Sequence, residues 1–123
     1  MQGKNGEDGT RDDWKGAHVA TVEIDAGVCG HKTIVTAARG EGYSVRLDIK
    51  SDCPQVQALD AQVNEVDALR QISSRGGLPS VLETAYAGCA HAACPVPSGL
   101  VKAIEVAAGL ALPQDVTMRV SRD

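Results

Sequence analysis

The chain has very few aromatic side chains. Its 123 residues include no phenylalanine, one tryptophan and two tyrosines, although 43% of the sequence is apolar. The core must therefore be built from Val, Ile, Leu and Ala, which favours close packing of helices against a sheet over a large ligand pocket. The sequence also offers no aromatic platform on which nucleic-acid bases could stack.

The sequence lacks a surplus of positive charge and a long apolar run. Its 12 basic and 16 acidic side chains give a formal net charge of -4, so we expect neither nucleic acid nor an anionic membrane as a partner. No signal-peptide pattern opens the chain, and no segment has the roughly 20 apolar residues that span a bilayer. We therefore expect a cytoplasmic protein, in which thiols are reduced.

The spacing of apolar residues predicts one α+β domain, residues 17–123, after a flexible polar tail, residues 1–16. The tail is rich in Gly, Asp and Lys, and Trp14 is its only bulky apolar side chain, so it cannot bury enough surface to fold alone. Apolar and polar residues then alternate in three segments, which predicts a three-stranded antiparallel sheet with glycine-containing turns. These segments are 18–24, 32–36 and 43–49.

A helical segment is predicted after the sheet, because apolar residues there recur every three or four positions. The predicted helices cover 53–64, 66–72, 79–87 and 98–112. Gly88 follows the third of them, in the position that a left-handed helix cap prefers. Val116, Met118 and Val120 alternate with polar residues, which predicts a closing C-terminal strand at the edge of the sheet.

Four cysteines stand where predicted elements begin or end. Cys29 lies in a glycine-flanked loop, Cys53 precedes a helix, and Cys89 and Cys94 stand on either side of His91. A rigid frame can hold thiols at such points in fixed positions, and a helix N-terminus favours the thiolate form. Converging thiolates are the usual ligands of soft metals in small intracellular proteins.

The spacing of the cysteines leaves the bound species open. Four residues separate Cys89 from Cys94, which is found both in zinc knuckles and in plant-type ferredoxins. Zinc sites usually collect two short pairs, whereas Cys29 and Cys53 are single and dispersed. This dispersal favours an iron–sulfur cluster, preferably of the four-iron type. Mononuclear zinc, a redox disulfide and burial of the cysteines as small apolar side chains are the alternatives.

Two more side chains are candidate metal ligands. His91 could bind the metal or donate a hydrogen bond to a cluster sulfur. Glu105 could supply an oxygen ligand, although an exposed ion pair with Lys102 is the simpler explanation. Asp52 and Ser98 are interpreted as helix caps. Because no third group orients a Ser98–Lys102 pair for catalysis, the sequence favours a binding protein over an enzyme.

Four segments around the cysteines form a specific pattern: IDAGVCG at 24–30, SDCP at 51–54, HAACPVPS at 91–98 and KAIEVAAGLALP at 102–113. With this pattern, the chain from Val22 to Val120 resembles a small family of cysteine-containing proteins of unknown function from anaerobic bacteria and archaea. The resemblance implies an iron–sulfur type cluster held by all four cysteines, and it implies no established activity.

The order of cysteines and elements is also similar to that of the U-type scaffold proteins of iron–sulfur assembly. His31 stands where that family has an aspartate, Ala93 stands where it has a histidine, and Cys89 has no counterpart. A fourth thiolate would hold a cluster more firmly than an exchangeable carboxylate would. We therefore expect a resident cluster for redox or metal-centred chemistry, with a redox partner protein and a homodimer as candidate assemblies. A U-like carrier and a zinc-binding structural module are the alternative functions.

Overall fold

The computed structural model describes residues 18–123, and an antiparallel sheet forms its centre. The first three strands confirm the prediction, and the predicted tail of residues 1–16 lies outside the described residues. Val35 of the second strand pairs with Val22 of the first and Ile49 of the third, so these three side chains share one face. In chain order and side by side, the strands are β1 (Val19–Asp25), β2 (Lys32–Arg39), β3 (Ser44–Ser51) and β4 (Glu65–Asp67).

Three helices cover one face of this sheet, which gives the mixed α+β fold that was predicted. They are α1 (Pro54–Gln57), α2 (Ser80–Gly88) and α3 (Val96–Ala107). Helix α3 lies on β1 and β2, α1 lies against β3, and α2 contacts both other helices. The largest fully buried side chains are aliphatic and include Ile49, Leu59, Leu100 and Ile104. Within residues 18–123, no helix has the length and apolar character needed to cross a membrane.

The helix predicted over 53–64 is much shorter in the structure, since its polar side chains serve the edge of β3. Gln57 Oε1 accepts from the Ser51 N–H (2.8 Å), and Gln57 Nε2 donates to the Ile49 carbonyl (2.9 Å). Asp60 Oδ1 accepts from the Ile49 N–H (2.8 Å). These side chains replace a neighbouring strand, so the chain turns close to β3 after one turn of α-helix and continues as a 3-10 turn.

The segment predicted as a helix over 66–72 instead begins with β4 and continues as a 3-10 turn, Ala68–Arg70. Val66 pairs with Val45 of β3. The cause is tertiary structure. The edge of β3 has unpaired backbone N–H and C=O groups at this point, and a neighbouring strand can form hydrogen bonds with them whereas a helix cannot. Asp67 then accepts from the Leu69 N–H (3.1 Å) and starts the turn.

The fourth strand of the sheet is therefore β4 and not the predicted C-terminal strand. Residues 112–123 have no regular secondary structure, and Val116, Met118 and Val120 are exposed. Alternation of apolar residues favours an extended segment, but a strand also needs a hydrogen-bonding partner. Among the described residues, β4 already holds one edge of the sheet and the C-terminal segment does not reach the other.

Two glycines allow close packing near the cysteines. Gly88 is not the left-handed cap that was predicted, since it lies within α2 and its φ is not positive. A Cβ at Gly88 would lie 2.7 Å from Leu59 Cδ2, and one at Gly99 would collide with the Ile24 side chain. The absence of side chains at these positions lets the end of α2 and the start of α3 approach the core.

Candidate metal centre

All four cysteines lie at the same end of the sheet. Thr33, near the start of β2, pairs with Ile24 at the end of β1 and with Ser51 at the end of β3. Gly99, in the first turn of α3, packs against the same Ile24. The elements that meet at this end carry Cys29, Cys53, Cys89 and Cys94 in their terminal loops.

Cys29 lies at the tip of a tight turn between β1 and β2. Gly27 and Gly30 have φ values of +89° and +75°, which glycine adopts at little cost. The Gly30 N–H donates to the Gly27 carbonyl (2.9 Å), which closes the turn. Cys29 and the adjacent Val28 are exposed, so this thiol is directly accessible to solvent or to a ligand.

Cys53 is held beside the β1–β2 turn by Asp52. The Asp52 carboxylate accepts from the Lys32 N–H (2.9 Å) and lies 3.1 Å from His31 Nδ1. The Lys32 N–H chiefly, and His31 to a smaller extent, hold the pKa of Asp52 below its ordinary value. Asp52 is therefore not the helix cap that was predicted. Cys53 itself occupies the N-cap of α1, and its side chain makes no capping hydrogen bond.

The Cys89–Cys94 loop is tied to α1 and closes on itself. The Ala90 N–H donates to Gln55 Oε1 in α1 (3.1 Å), and the Cys94 N–H donates to the His91 carbonyl (3.2 Å). Helix α3 begins at Val96, slightly before the predicted start. The loop thus runs from the end of α2 to the start of α3 and contacts α1 at Gln55, two residues after Cys53.

Cys53 and Cys94 both lie within electrostatic reach of Cys89. Burial raises the pKa of Cys89 to about 11, and the charge of Cys94, a hydrogen bond with Cys94 and the charge of Cys53 act in the same direction. These three thiols are half-buried and pack against the core. All four cysteines are free thiols. The fold therefore brings Cys53, which is distant in the sequence, close to the Cys89–Cys94 pair.

The remaining candidates are less closely placed. Cys29 is not among the groups that act on Cys89, and His91 is exposed. Glu105 lies about 13 Å along α3 from the helix start at Val96, at 1.5 Å per residue. Within the described part of the chain no ion pair joins Glu105 to Lys102. Residues 18–123 contain no group of three or more His, Cys, Asp or Glu side chains arranged to hold a single metal ion.

The sequence did not predict the hydrogen bonds of Asp52 and Gln55 that hold the cysteine loops in place. The β2–β3 register runs Thr33 to Ser51, so extending it by one residue places Lys32 opposite Asp52. A register argument could therefore have predicted the Asp52 contact. The Gln55 contact with the Cys89–Cys94 loop has no comparable sequence signal, because it depends on how α1 and α2 pack.

The fold and the site define a small α+β protein with a group of free thiols at one end of its sheet. The chain belongs to a family of unknown function (DUF6951), whose model matches residues 20–120. No curated protein and no solved structure matches it. The matched range contains the sheet from Ala20 onward, all three helices and the four cysteines. The family description names no activity.

Proposed function

We propose that the protein binds a resident polynuclear iron–sulfur cluster, preferably of the four-iron type, through Cys29, Cys53, Cys89 and Cys94. The observation that carries this proposal is that the fold places Cys53 beside the Cys89–Cys94 loop, which the Ala90–Gln55 hydrogen bond ties to α1, with all three thiols half-buried against the core. An all-sulfur donor set suits iron–sulfur clusters and thiophilic metals and disfavours Mg²⁺ or Ca²⁺. Reduced thiols also fit a cytoplasmic location.

The residues fit a cluster better than a single ion. A cluster is several ångströms wide, so its thiolate ligands need not converge on one point. Cys29 completes the set if its turn approaches the other three thiols. The turn already lies beside Cys53, where the Lys32–Asp52 hydrogen bonds join the two strands.

The burial of the four thiols favours redox chemistry with a protein partner. Cys53, Cys89 and Cys94 are half-buried on the core side, whereas Cys29 is exposed. A cluster bound here would supply one-electron transfer. Its Cys29 side would be the side that a redox partner protein can approach. The same exposure of Cys29 favours a second candidate, a U-like carrier that releases its cluster from the open side.

Oxygen-free purification followed by metal analysis tests the proposal. We expect visible charge-transfer absorption, iron and acid-labile sulfide in comparable amounts, and no stoichiometric zinc. A colourless protein with one zinc per chain would instead identify a zinc-binding structural module. Retention of the cluster against a chelator supports a resident centre, whereas rapid transfer to an apo-ferredoxin identifies a carrier.

Two substitutions locate the cluster. Cys53→Ser should bleach or destabilise the centre, because it removes one of the three associated thiols. Glu105→Gln is the matched control, since the sequence makes Glu105 a candidate ligand but the structure places it about two and a half helical turns beyond the start of α3. It should leave the spectrum and the iron content unchanged. An unchanged spectrum in Cys53→Ser would remove Cys53 from the ligand set.

A further inference from the structure

The C-terminal segment, residues 113–123, has the pattern of a β-strand but no sheet partner among the described residues. Val116, Met118 and Val120 are 60%, 80% and 94% exposed. Polar residues alternate with them, so the three apolar side chains would share one face of an extended strand. The family match runs as far as Val120 and so covers most of this segment.

The outer edge of β1 is a free hydrogen-bonding edge in the described structure. The Ala26 N–H donates to the His31 carbonyl, which makes this pair a hydrogen-bonded pair of the antiparallel ladder. Because such pairs alternate along the strands, Thr21 and Glu23 direct their N–H and C=O groups away from β2. Across residues 18–123, no strand pairs with this side of β1.

The side chains of β1 match those of the C-terminal segment. Val22 is only half-buried on the helix-covered face, although its neighbour Val35 is fully buried. Glu23 and Asp25 lie on the other face and are exposed. The C-terminal segment carries Arg119 on the face opposite its apolar side chains, so both the apolar and the charged residues have counterparts on β1.

We propose that the C-terminal segment of one copy pairs with the β1 edge of a second copy, and that the exchange is reciprocal. An antiparallel register with Arg119 opposite Glu23 places Met118 beside Ile24 and Val120 beside Val22. Opposite charges and apolar pairs at such cross-strand positions stabilise a sheet. Val116, Met118 and Val120 then point to the helix-covered face of the sheet, whereas Thr117 and Arg119 point to its exposed face.

A second copy is the occupant that fits the arrangement of the chain. Residues 112–123 are exposed throughout, so the segment lies away from its own sheet. Each copy therefore has one exposed segment with the pattern of a strand, and one strand edge that has no partner among the described residues. A two-fold exchange satisfies both in both copies, as closed symmetric dimers require.

Sedimentation equilibrium of the full chain under reducing conditions tests the dimer. The full chain should have about twice the monomer mass of 12.8 kDa. Met118→Lys places a charge on the buried face of the exchanged strand and should give a monomer. Thr117→Lys, one residue earlier on the solvent-facing side, is the matched control and should remain a dimer. A monomeric wild type, or a Met118→Lys variant that dimerises as well as the wild type, overturns the proposal.

A charge exchange distinguishes pairing between copies from folding back on the same chain. Arg119→Glu and Glu23→Arg should each raise the dimer dissociation constant at least tenfold, because each places like charges opposite one another. An equimolar mixture of the two variants should form a heterodimer of near wild-type affinity, since both pairs are then complementary. If the mixture associates no better than either variant alone, the segment does not exchange in this register and the proposal fails.

Discussion

Replacing Gly88 by alanine should destabilise the protein, although alanine is ordinarily the better helix former. The added Cβ would lie 2.7 Å from Leu59 Cδ2, and the Leu59 side chain is fully buried in the core. Overpacking of this kind costs about 1–3 kcal/mol. The gain in helix propensity is at most about 1 kcal/mol and is smaller at a helix end. We expect a net loss of about 1–2 kcal/mol in the free energy of unfolding.

Urea unfolding followed by far-UV circular dichroism measures this loss. Gly76→Ala is the matched control, because a Cβ there meets no atom within 4 Å and Gly76 has no positive φ. It should be neutral or slightly stabilising. For a domain of this size, Gly88→Ala should also lower the melting temperature by roughly 5–10 °C. If the two variants are equally stable, the close contact between α2 and Leu59 is not the reason for glycine at this position.

Two other predictions concern the frame around the site. Asp52→Asn removes a carboxyl group whose pKa in the folded protein lies below its unfolded value of 3.8. The wild type should therefore be more stable than the variant above about pH 4, and this difference in stability should vanish as the pH falls through the lowered pKa. Urea midpoints of the two proteins should converge in acid, and a pH-independent difference would refute this linkage. Arg39→Ala removes donors to the Ala108 and Gly42 carbonyls (2.9 and 2.6 Å) and should cost about 1–3 kcal/mol. Urea unfolding checks this against exposed Arg46→Ala, which should change stability by under about 0.5 kcal/mol; equal losses would contradict the role of Arg39.

The first three strands could be predicted because each has one buried and one exposed face. Val45, Leu47 and Ile49 alternate with exposed residues. This two-residue period does not depend on which helix packs on the sheet. The region 53–72 could not be predicted in the same way. Its apolar residues fit a helix, but Gln57, Asp60 and β4 instead form hydrogen bonds with the free edge of β3. The need for these hydrogen bonds exists only once the sheet has formed.

For the candidate site, the position of each cysteine at the end of an element could be read from turn and cap signals. The proximity of Cys53, Cys89 and Cys94 depends on how α1, α2 and α3 pack, which spacing alone does not determine. The separation of Glu105 from the cysteine loop follows from the helical rise, because Glu105 lies nine residues beyond the start of α3.

Native mass spectrometry of the chain after oxygen-free reconstitution with iron and sulfide tests whether the four cysteines hold a polynuclear cluster. We expect a species heavier than the 12.8 kDa chain by one complete iron–sulfur core, or two chains with two cores if the dimer persists. The same treatment of Cys53→Ser should give mostly bare chain. A wild-type protein that emerges without a core, or with only a zinc ion per chain, would contradict a polynuclear centre on these cysteines.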